Sequence, residues 1–192
     1  MVRACRHDAA IESFLLCDHA ALRHYGMGVV PPAPMPIGRF LSSGYLKKGR
    51  TLGDLAANAG IDARGLADTV RRFNANAKRG EEPDFGKGSN VYNHFGGDPM
   101  RKPNPNLAPL EQAPFYAVRL VPGDLGTFKG LVTDAAARVL RLNDGQPIQG
   151  LYAVGNDMAS VMGGAYPGAG ITIGPGMTFG YLAARHAAGL AD

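Results

Sequence analysis

The chain has little cysteine, no long apolar run and no concentrated charge. Only Cys5 and Cys17 occur, with no C-x-x-C pair, so the simplest reading is two free thiols in a reducing compartment. No apolar run approaches the roughly 18 residues of a membrane span. The run Phe14-Leu15-Leu16 is too short for a signal-peptide core and follows Asp8 and Glu12. A cytoplasmic protein without a membrane span is expected. The net charge is only +4 and the bases are scattered, in short runs such as Lys47-Lys48 and Arg71-Arg72. These read as solvated faces and argue against a nucleic-acid partner. The histidines (His7, His19, His24, His94, His186) are dispersed, so no metal site is expected. No phosphate loop, H-E-x-x-H or G-x-S-x-G occurs. The dinucleotide pattern G-x-G-x-x-G fails at Gly168-Ala169-Gly170-Ile171-Thr172-Ile173, where the last position is Ile.

What is present fits a globular protein. With 45% hydrophobic residues, disorder and collagen-like repeats are excluded, and 192 residues suffice for one medium domain or two small ones. Residues 1–50 read as irregular, with Pro31-Pro32-Ala33-Pro34-Met35-Pro36 an extended segment, either a linker or a stiff pocket wall. Residues 51–80 read as a helical hairpin. Thr51 with Asp54 resembles a capping box, Gly60 suits a stop, and Asp62 can cap a second helix. In that helix Leu66, Val70, Phe73 and Ala77 share one face, opposite Arg64, Arg71 and Lys78, and Gly80 ends it.

Residues 81–114 are rich in Pro, Gly and Asn without periodicity, which suggests a long functional loop or one draped over a neighbour. Strand signals follow at Phe115 to Val121, Leu131 to Thr133, Val139 to Leu142 and Leu151 to Val154, with a turn at Asn143-Asp144-Gly145. A final helix is expected from near Gly170 to Gly189, with Gly176, Gly180 and Ala184 as a smooth stripe. Pro175 in its second turn would force a kink or a later start.

The last forty residues carry the chemistry. A short strand, Gly150-Leu151-Tyr152-Ala153-Val154-Gly155-Asn156, runs into the glycine-rich turn Gly163-Gly164-Ala165-Tyr166-Pro167-Gly168-Ala169-Gly170 and then the helix. Such a turn lets backbone N–H groups approach a negatively polarised ligand.

These residues resemble the C-terminal part of the fumarate-reductase-like FAD flavoproteins, and within them the 3-ketosteroid Δ1-dehydrogenase branch. The matching text includes Gly123-Asp124-Leu125-Gly126-Thr127, Gly130-Leu131-Val132-Thr133-Asp134, Ala137-Arg138-Val139-Leu140-Arg141 and Phe179-Gly180-Tyr181. Upstream, Gly44-Tyr45-Leu46-Lys47, Arg72-Phe73-Asn74, Asp84-Phe85-Gly86-Lys87-Gly88 and Lys102-Pro103-Asn104-Pro105 look like the branch's cap domain. The resemblance covers most of residues 14–190.

The resemblance implies an α+β fold. Residues 1–125 would be the second half of a substrate (cap) domain. Residues 126–192 would be the C-terminal strands and helix of a Rossmann-type FAD-binding domain, whose N-terminal half is absent from this sequence. A segment built to close such a domain should leave an apolar inner face uncovered. Two readings stand: a truncated fragment, non-catalytic without a partner, or a subunit completed by a chain that supplies the N-terminal half.

By the same resemblance, the Tyr166 hydroxyl and the Gly170 N–H would bind the C3 carbonyl oxygen of a steroid-like or other apolar ketone. Two preset donors stabilise the developing enolate. Without the resemblance, Tyr166 reads as a packed tyrosine in a structural turn. Tyr25, in His24-Tyr25-Gly26, matches the place of the catalytic base, though a buried structural tyrosine fits equally; Tyr45, Tyr92 and Tyr116 are further candidates. For FAD, Gly155 and Asn156 would face the ribityl chain, and the N–H groups of Gly170, Ile171 and Thr172 at the helix N-terminus would point at flavin N1 and O2. Many family members have Glu where Asn156 stands; a neutral amide can still bond a hydroxyl. The dicarboxylate reductases place an arginine at Gly170 and a histidine near Leu125 or Gly126. Both are missing here, which counts against a fumarate-like substrate. Arg119 or Arg138 could substitute, but each lies in a strand signal and should face solvent.

The fingerprint that grips the dinucleotide phosphates is not in this sequence. The 192-residue chain purified alone is therefore expected to retain no FAD. Absorbance between about 350 and 500 nm checks this, and a stoichiometrically yellow protein would refute it.

Overall fold

The computed structural model describes residues 12–123 and 126–190. Cys5, His7 and the Leu125 position of the missing histidine lie outside these. The chain divides into two compact units, at Pro122 and Gly123.

The first unit is built on a three-stranded antiparallel sheet in the order β1 (Ser13–Cys17), β3 (Phe115–Leu120), β2 (Leu46–Gly49). The central strand pairs Cys17 with Tyr116 and Leu46 with Val118. Side chains alternate across the sheet. Tyr116 and Val118 join Leu22, Val30, Phe40 and Leu46 in one core cluster. Leu16 packs with Leu52, Ala56, Leu66, Val70 and Leu110 in another.

The helical hairpin forms as the sequence dictates. Thr51 caps α3 (Leu52–Ala59) by a reciprocal capping box with Asp54, and Gly60 ends it in the left-handed region. Asp62 accepts from the Gly65 N–H at 2.7 Å to cap α4 (Ala63–Arg79), and Gly80 closes it with φ +75°. Leu66, Val70 and Ala77 are buried and Phe73 is half-buried, while Arg64, Arg71 and Lys78 face solvent.

Three expectations need correction. Residues 12–50 are not irregular: they hold β1, α1 (His19–Tyr25), α2 (Gly38–Ser42) and β2. Each is short, and the strands are specified by β3 some 70 to 100 residues away, so no local period announces them. The proline segment is no linker: the Ala33 N–H donates to the Arg23 carbonyl at 2.8 Å and Arg23 donates to the Met35 carbonyl at 3.2 Å, fastening it to α1. The 81–114 stretch contains α5 (Val91–Phe95), too short for the helical period to be read.

That stretch is otherwise held by polar side chains bonded to backbone. The Asn74 amide exchanges two bonds with Leu110, at 2.9 and 2.8 Å. Asn104, buried, donates to the carbonyls of Gly80 and Lys87 and accepts from the Asn106 N–H. Asp18, also buried, caps α1 at the Ala21 N–H (2.9 Å) and accepts from the N–H groups of Glu111 and Gln112 at 3.1 Å each.

The second unit pairs β4 (Arg138–Leu140) with β5 (Pro147–Tyr152) around the expected Asn143-Asp144-Gly145 turn. Its strands begin earlier in the chain than their signals. Leu131 to Thr133 forms isolated bridges to Met158 and Val139 rather than a strand. Val139, Ala153 and Met158 form a small core against Phe179 of α6 (Ile173–Ala187). The helix starts three residues later than Gly170, so Pro175 is its third residue, where an N–H has no intrahelical partner to lose. No kink is needed. In the glycine stripe, Gly176 lies against Gly155, while nothing approaches Gly180. Ile173, Met177 and Tyr181, one turn apart, are 61–70% exposed and make an uncovered apolar face. No helix among the described residues is long and apolar enough to cross a membrane.

Asp18 ties α1 to the end of the loop through three backbone donors. Asp18→Ala is expected to destabilise the first unit by about 2–4 kcal/mol, one lost cap plus two orphaned N–H groups. Urea unfolding measures this; a change under about 0.5 kcal/mol would mean that water replaces the carboxylate.

Candidate functional site

The second unit carries a cavity of about 360 Å³ whose lining includes Phe128, Gly155, Asn156, Tyr166, Ile171 and Thr172. After β5 the chain makes a 3₁₀ turn at Gly155–Asp157, with Gly155 at φ +60°. The 127–131 segment is laced to this turn: Thr127 Oγ1 donates to the Asn156 carbonyl at 3.1 Å and the Leu131 N–H to the Asp157 carbonyl at 2.8 Å. The β4–β5 pair of the same unit has its start set by Asp134. Its carboxylate accepts from the N–H groups of Ala136 and Arg138, both at 3.0 Å, and from Arg138 Nε at 2.6 Å.

Tyr166 stands half-exposed with its ring edge-on to Phe128, centroids 6.5 Å apart. Among the described residues nothing accepts from its hydroxyl, and nothing accepts from the Gly170 N–H. Gly170 has φ +89°, a conformation that L side chains rarely adopt, and open space where a Cβ would lie. The Asn156 side-chain amide has no bonding partner either among the described residues. The site thus offers several unspent polar groups on an ordered turn.

Five of the sequence-derived positions, Gly155, Asn156, Tyr166, Ile171 and Thr172, come together in this cavity. Gly170 is not part of the lining, though it adjoins Ile171. One correction concerns the helix N-terminus. Thr172 is the N-cap of α6, so Gly170 and Ile171 belong to the preceding turn and not to the first helical turn. Pro175 removes a donor from that first turn, and the Gly174 and Gly176 N–H groups already bond the carbonyls of Gly170 and Thr172. What the helix can offer an anion is therefore concentrated in the turn ahead of it.

Tyr25 lies in the first unit, 49% exposed, at the end of α1. Its hydroxyl donates to Asp98 Oδ2 and receives Arg101 Nε at 3.4 Å. Neither Asp98 nor Arg101 was singled out in the sequence. Their only sequence signal is the polar loop that contains them. The other tyrosines lie in different surroundings. Tyr116 is buried beside His19, Tyr45 is held by the Val29 N–H, and Tyr92 stands at the surface. Cys17 is no nucleophile: burial, helped by the neighbouring Asp18 charge, pushes its thiol up to about 12. Arg119 and Arg138 are spent on Glu12 and Asp134, each at 2.6 Å. No cluster able to hold a metal occurs among the described residues.

Comparison with known proteins places these observations. The family model described as "FAD binding domain" matches residues 3–173. The chain is 50% identical, over 99% of its length, to a 4-oxocyclohex-2-ene-1-carboxylate 5-dehydrogenase of Sinomonas cyclohexanicum, of which it covers 32%. It is 47% identical, over 93% of its length, to a 3-oxosteroid 1-dehydrogenase of Mycobacterium tuberculosis, of which it covers 31%. The crystal structure of a 3-ketosteroid Δ1-dehydrogenase from Sterolibacterium denitrificans, in complex with 1,4-androstadiene-3,17-dione, superposes with a TM-score of 0.88 at 43% identity, covering 98% of this chain and 34% of that one. The chain spans about a third of the length of these relatives.

Asp134 gives a pH test of the second unit's scaffold. Its partial burial raises the carboxyl, but the bonds from Arg138 and from the Arg138 and Ala136 N–H groups outweigh this and hold it below the ordinary value. A depressed folded pKa means that the stabilisation is present above about pH 4 and is lost as pH falls through the folded value. Asp134→Asn should therefore flatten the acid limb of the second unit's stability. Amide exchange at Arg138 between about pH 6 and 2 reads it, and parallel curves for the two proteins would refute the assignment.

Proposed function

The chain belongs to the FAD binding domain family, and on that premise we propose that it supplies the carbonyl-holding part of a flavin-dependent dehydrogenase that desaturates a C–C bond beside a ring ketone. The first unit is read as a segment of the substrate (cap) domain and the second as the closing segment of the FAD-binding domain. The observation that carries the proposal is the pair of unspent donors, the Tyr166 hydroxyl and the Gly170 N–H, on a turn that adjoins a cavity with an uncommitted Asn156 amide.

The residues present fit a flavin. Asn156 would bond a ribityl hydroxyl, and the turn at Gly170, Ile171 and Thr172 would present N–H groups to the N1–O2 edge. When bound, FAD supplies the acceptor for a hydride from the substrate's β carbon. This chain's own residues do the rest. Tyr166 and Gly170 hold the carbonyl oxygen and stabilise the charge that gathers there as the α proton leaves. A tyrosine takes that proton, and Tyr25 of the first unit is a candidate for it. The substrate is a cyclic ketone, of the steroid type or a smaller ring such as the relatives' names specify.

Against a dicarboxylate substrate stand the ion pairs of two arginines. Carboxylate recognition needs a free guanidinium or equivalent, and Arg119 and Arg138 are both paired; by the resemblance, Gly170 stands where the dicarboxylate reductases carry an arginine.

Removing one oxyanion donor costs about 3–4 kcal/mol, a factor of 10²–10³ in turnover. In the flavin-loaded enzyme that contains these residues, Tyr166→Phe is expected to lower kcat on a 3-oxosteroid or an oxocyclohexene carboxylate at least about 10²-fold with flavin content unchanged. Full activity in that variant would reduce Tyr166 to a packing residue.

A further inference from the structure

The Tyr166 hydroxyl can serve a carbonyl only if its ring is held in one place, and the turn that carries it does not hold it. Apart from Tyr166 itself, residues 163–170 offer no side chain larger than proline. Gly163, Gly164 and Gly170 have φ of +62°, +98° and +89°, and beyond the chain neighbours nothing lies within 4 Å of where their Cβ atoms would be. The backbone is ordered: the Gly163 N–H donates to the Ser160 carbonyl at 3.1 Å and the Ala165 N–H to the Met162 carbonyl at 3.2 Å. The Tyr166 side chain is half-exposed, and its hydroxyl makes no bond among the described residues. The aromatic ring that meets it is Phe128, edge to face, with centroids 6.5 Å apart and planes at 85°.

Phe128 is fit to be that support because its own backbone is fixed at several points. Its carbonyl accepts from the Ser160 N–H at 2.9 Å. Before it, Thr127 Oγ1 donates to the Asn156 carbonyl at 3.1 Å. After it, the Leu131 N–H donates to the Asp157 carbonyl at 2.8 Å, and the Leu131 carbonyl accepts from the Ala159 N–H at 2.9 Å. The two runs of chain lie so close at Gly130 that a Cβ there would fall 2.5 Å from the Asp157 carbonyl oxygen. Phe128 is half-buried and lines the same cavity as Tyr166. None of the described lining residues carries a charge, so the two rings form the aromatic wall of an uncharged site.

We propose that Phe128 is a positioning residue of the ketone site: its ring selects the Tyr166 rotamer that aims the hydroxyl at the carbonyl oxygen. The inference rests on the reading of Tyr166 as a carbonyl donor. The χ1 torsion of a tyrosine has three staggered wells, and a catalytic donor acts only from within about half an ångström of its productive place. A ring free to visit every well offers its hydroxyl only part of the time, and the rate falls with the fraction in the productive one. An edge-to-face pair biases the wells by a factor of about 3 to 10, and that factor is the expected contribution of Phe128. No bond forms or breaks at Phe128; it acts through Tyr166.

The test uses the flavin-loaded enzyme that contains these residues, with a 3-oxosteroid as substrate. Phe128→Leu keeps apolar bulk and removes the ring. It should lower kcat about 3- to 10-fold and leave KM within about threefold, with flavin content and melting temperature unchanged. Phe128→Tyr, which keeps the ring, should recover most of the rate. In a Tyr166→Phe background, Phe128→Leu should cost nothing further, because the hydroxyl that it positions is gone. Fluorine NMR of enzyme carrying 3-fluorotyrosine reads the ring without turnover. The Tyr166 resonance is identified by its loss in Tyr166→Phe, and Phe128→Leu should move it towards the position of the free amino acid. A kcat within about twofold of the parent, an unmoved resonance, or an equal loss in both backgrounds refutes the positioning role, while a slow Tyr166→Phe leaves the carbonyl reading standing. If Tyr166→Phe keeps full activity, the carbonyl reading itself fails. Should Phe128→Leu lose its fold or its flavin, Phe128→Met is measured in its place; the same loss in both makes Phe128 a structural residue and overturns the proposal.

Discussion

A backbone N–H or C=O withdrawn from water must find a partner, and between α4 and β3 this chain meets that demand largely without regular secondary structure. Between α4 and β3 some thirty-five residues carry only five helical ones, and the segment is closed by side chains that imitate a backbone. The Asn74 amide pairs with Leu110 as a strand would, Asn104 serves three backbone groups, and Asp18 gathers two distant N–H groups while capping α1. That loop in turn presents Asp98 and Arg101 to Tyr25. The same rule marks the site. In the second unit, the Tyr166 hydroxyl and the Gly170 N–H remain unspent, on a turn whose backbone conformation requires glycine.

The chemistry follows from this division between satisfied and reserved groups. Ordered donors aimed at a position where negative charge develops do not have to reorganise as the reaction proceeds, which is why they act more strongly than water. A carbonyl held this way acidifies its neighbouring C–H. Arg119 and Arg138 are committed to Glu12 and Asp134.

Much of this was legible in the sequence where structure is local. The Thr51–Asp54 capping box, the Asp62 cap and the glycine stops at Gly60 and Gly80 are read within one turn of chain and stand as expected. The Tyr166–Gly170 turn was legible as a glycine-rich motif. Elements defined by distant partners were not. β1 and β2 gain their identity from β3, and no pattern in residues 12–50 reveals that pairing. The late start of α6 was half-legible, since Pro175 forbade an early one without saying where the helix begins. Asp98 and Arg101 were invisible because a hydrogen bond across 73 residues leaves no spacing to read.

The central claim is that Tyr166 and Gly170 bind a ketone oxygen. The most direct measurement is the infrared difference spectrum of a carbonyl-labelled ring enone bound to the flavin-loaded enzyme that contains these residues. Two strong donors should shift the carbonyl stretch well below its position in water, and Tyr166→Phe should reverse part of that shift. A stretch at or above the aqueous position, unchanged by the substitution, would contradict the account.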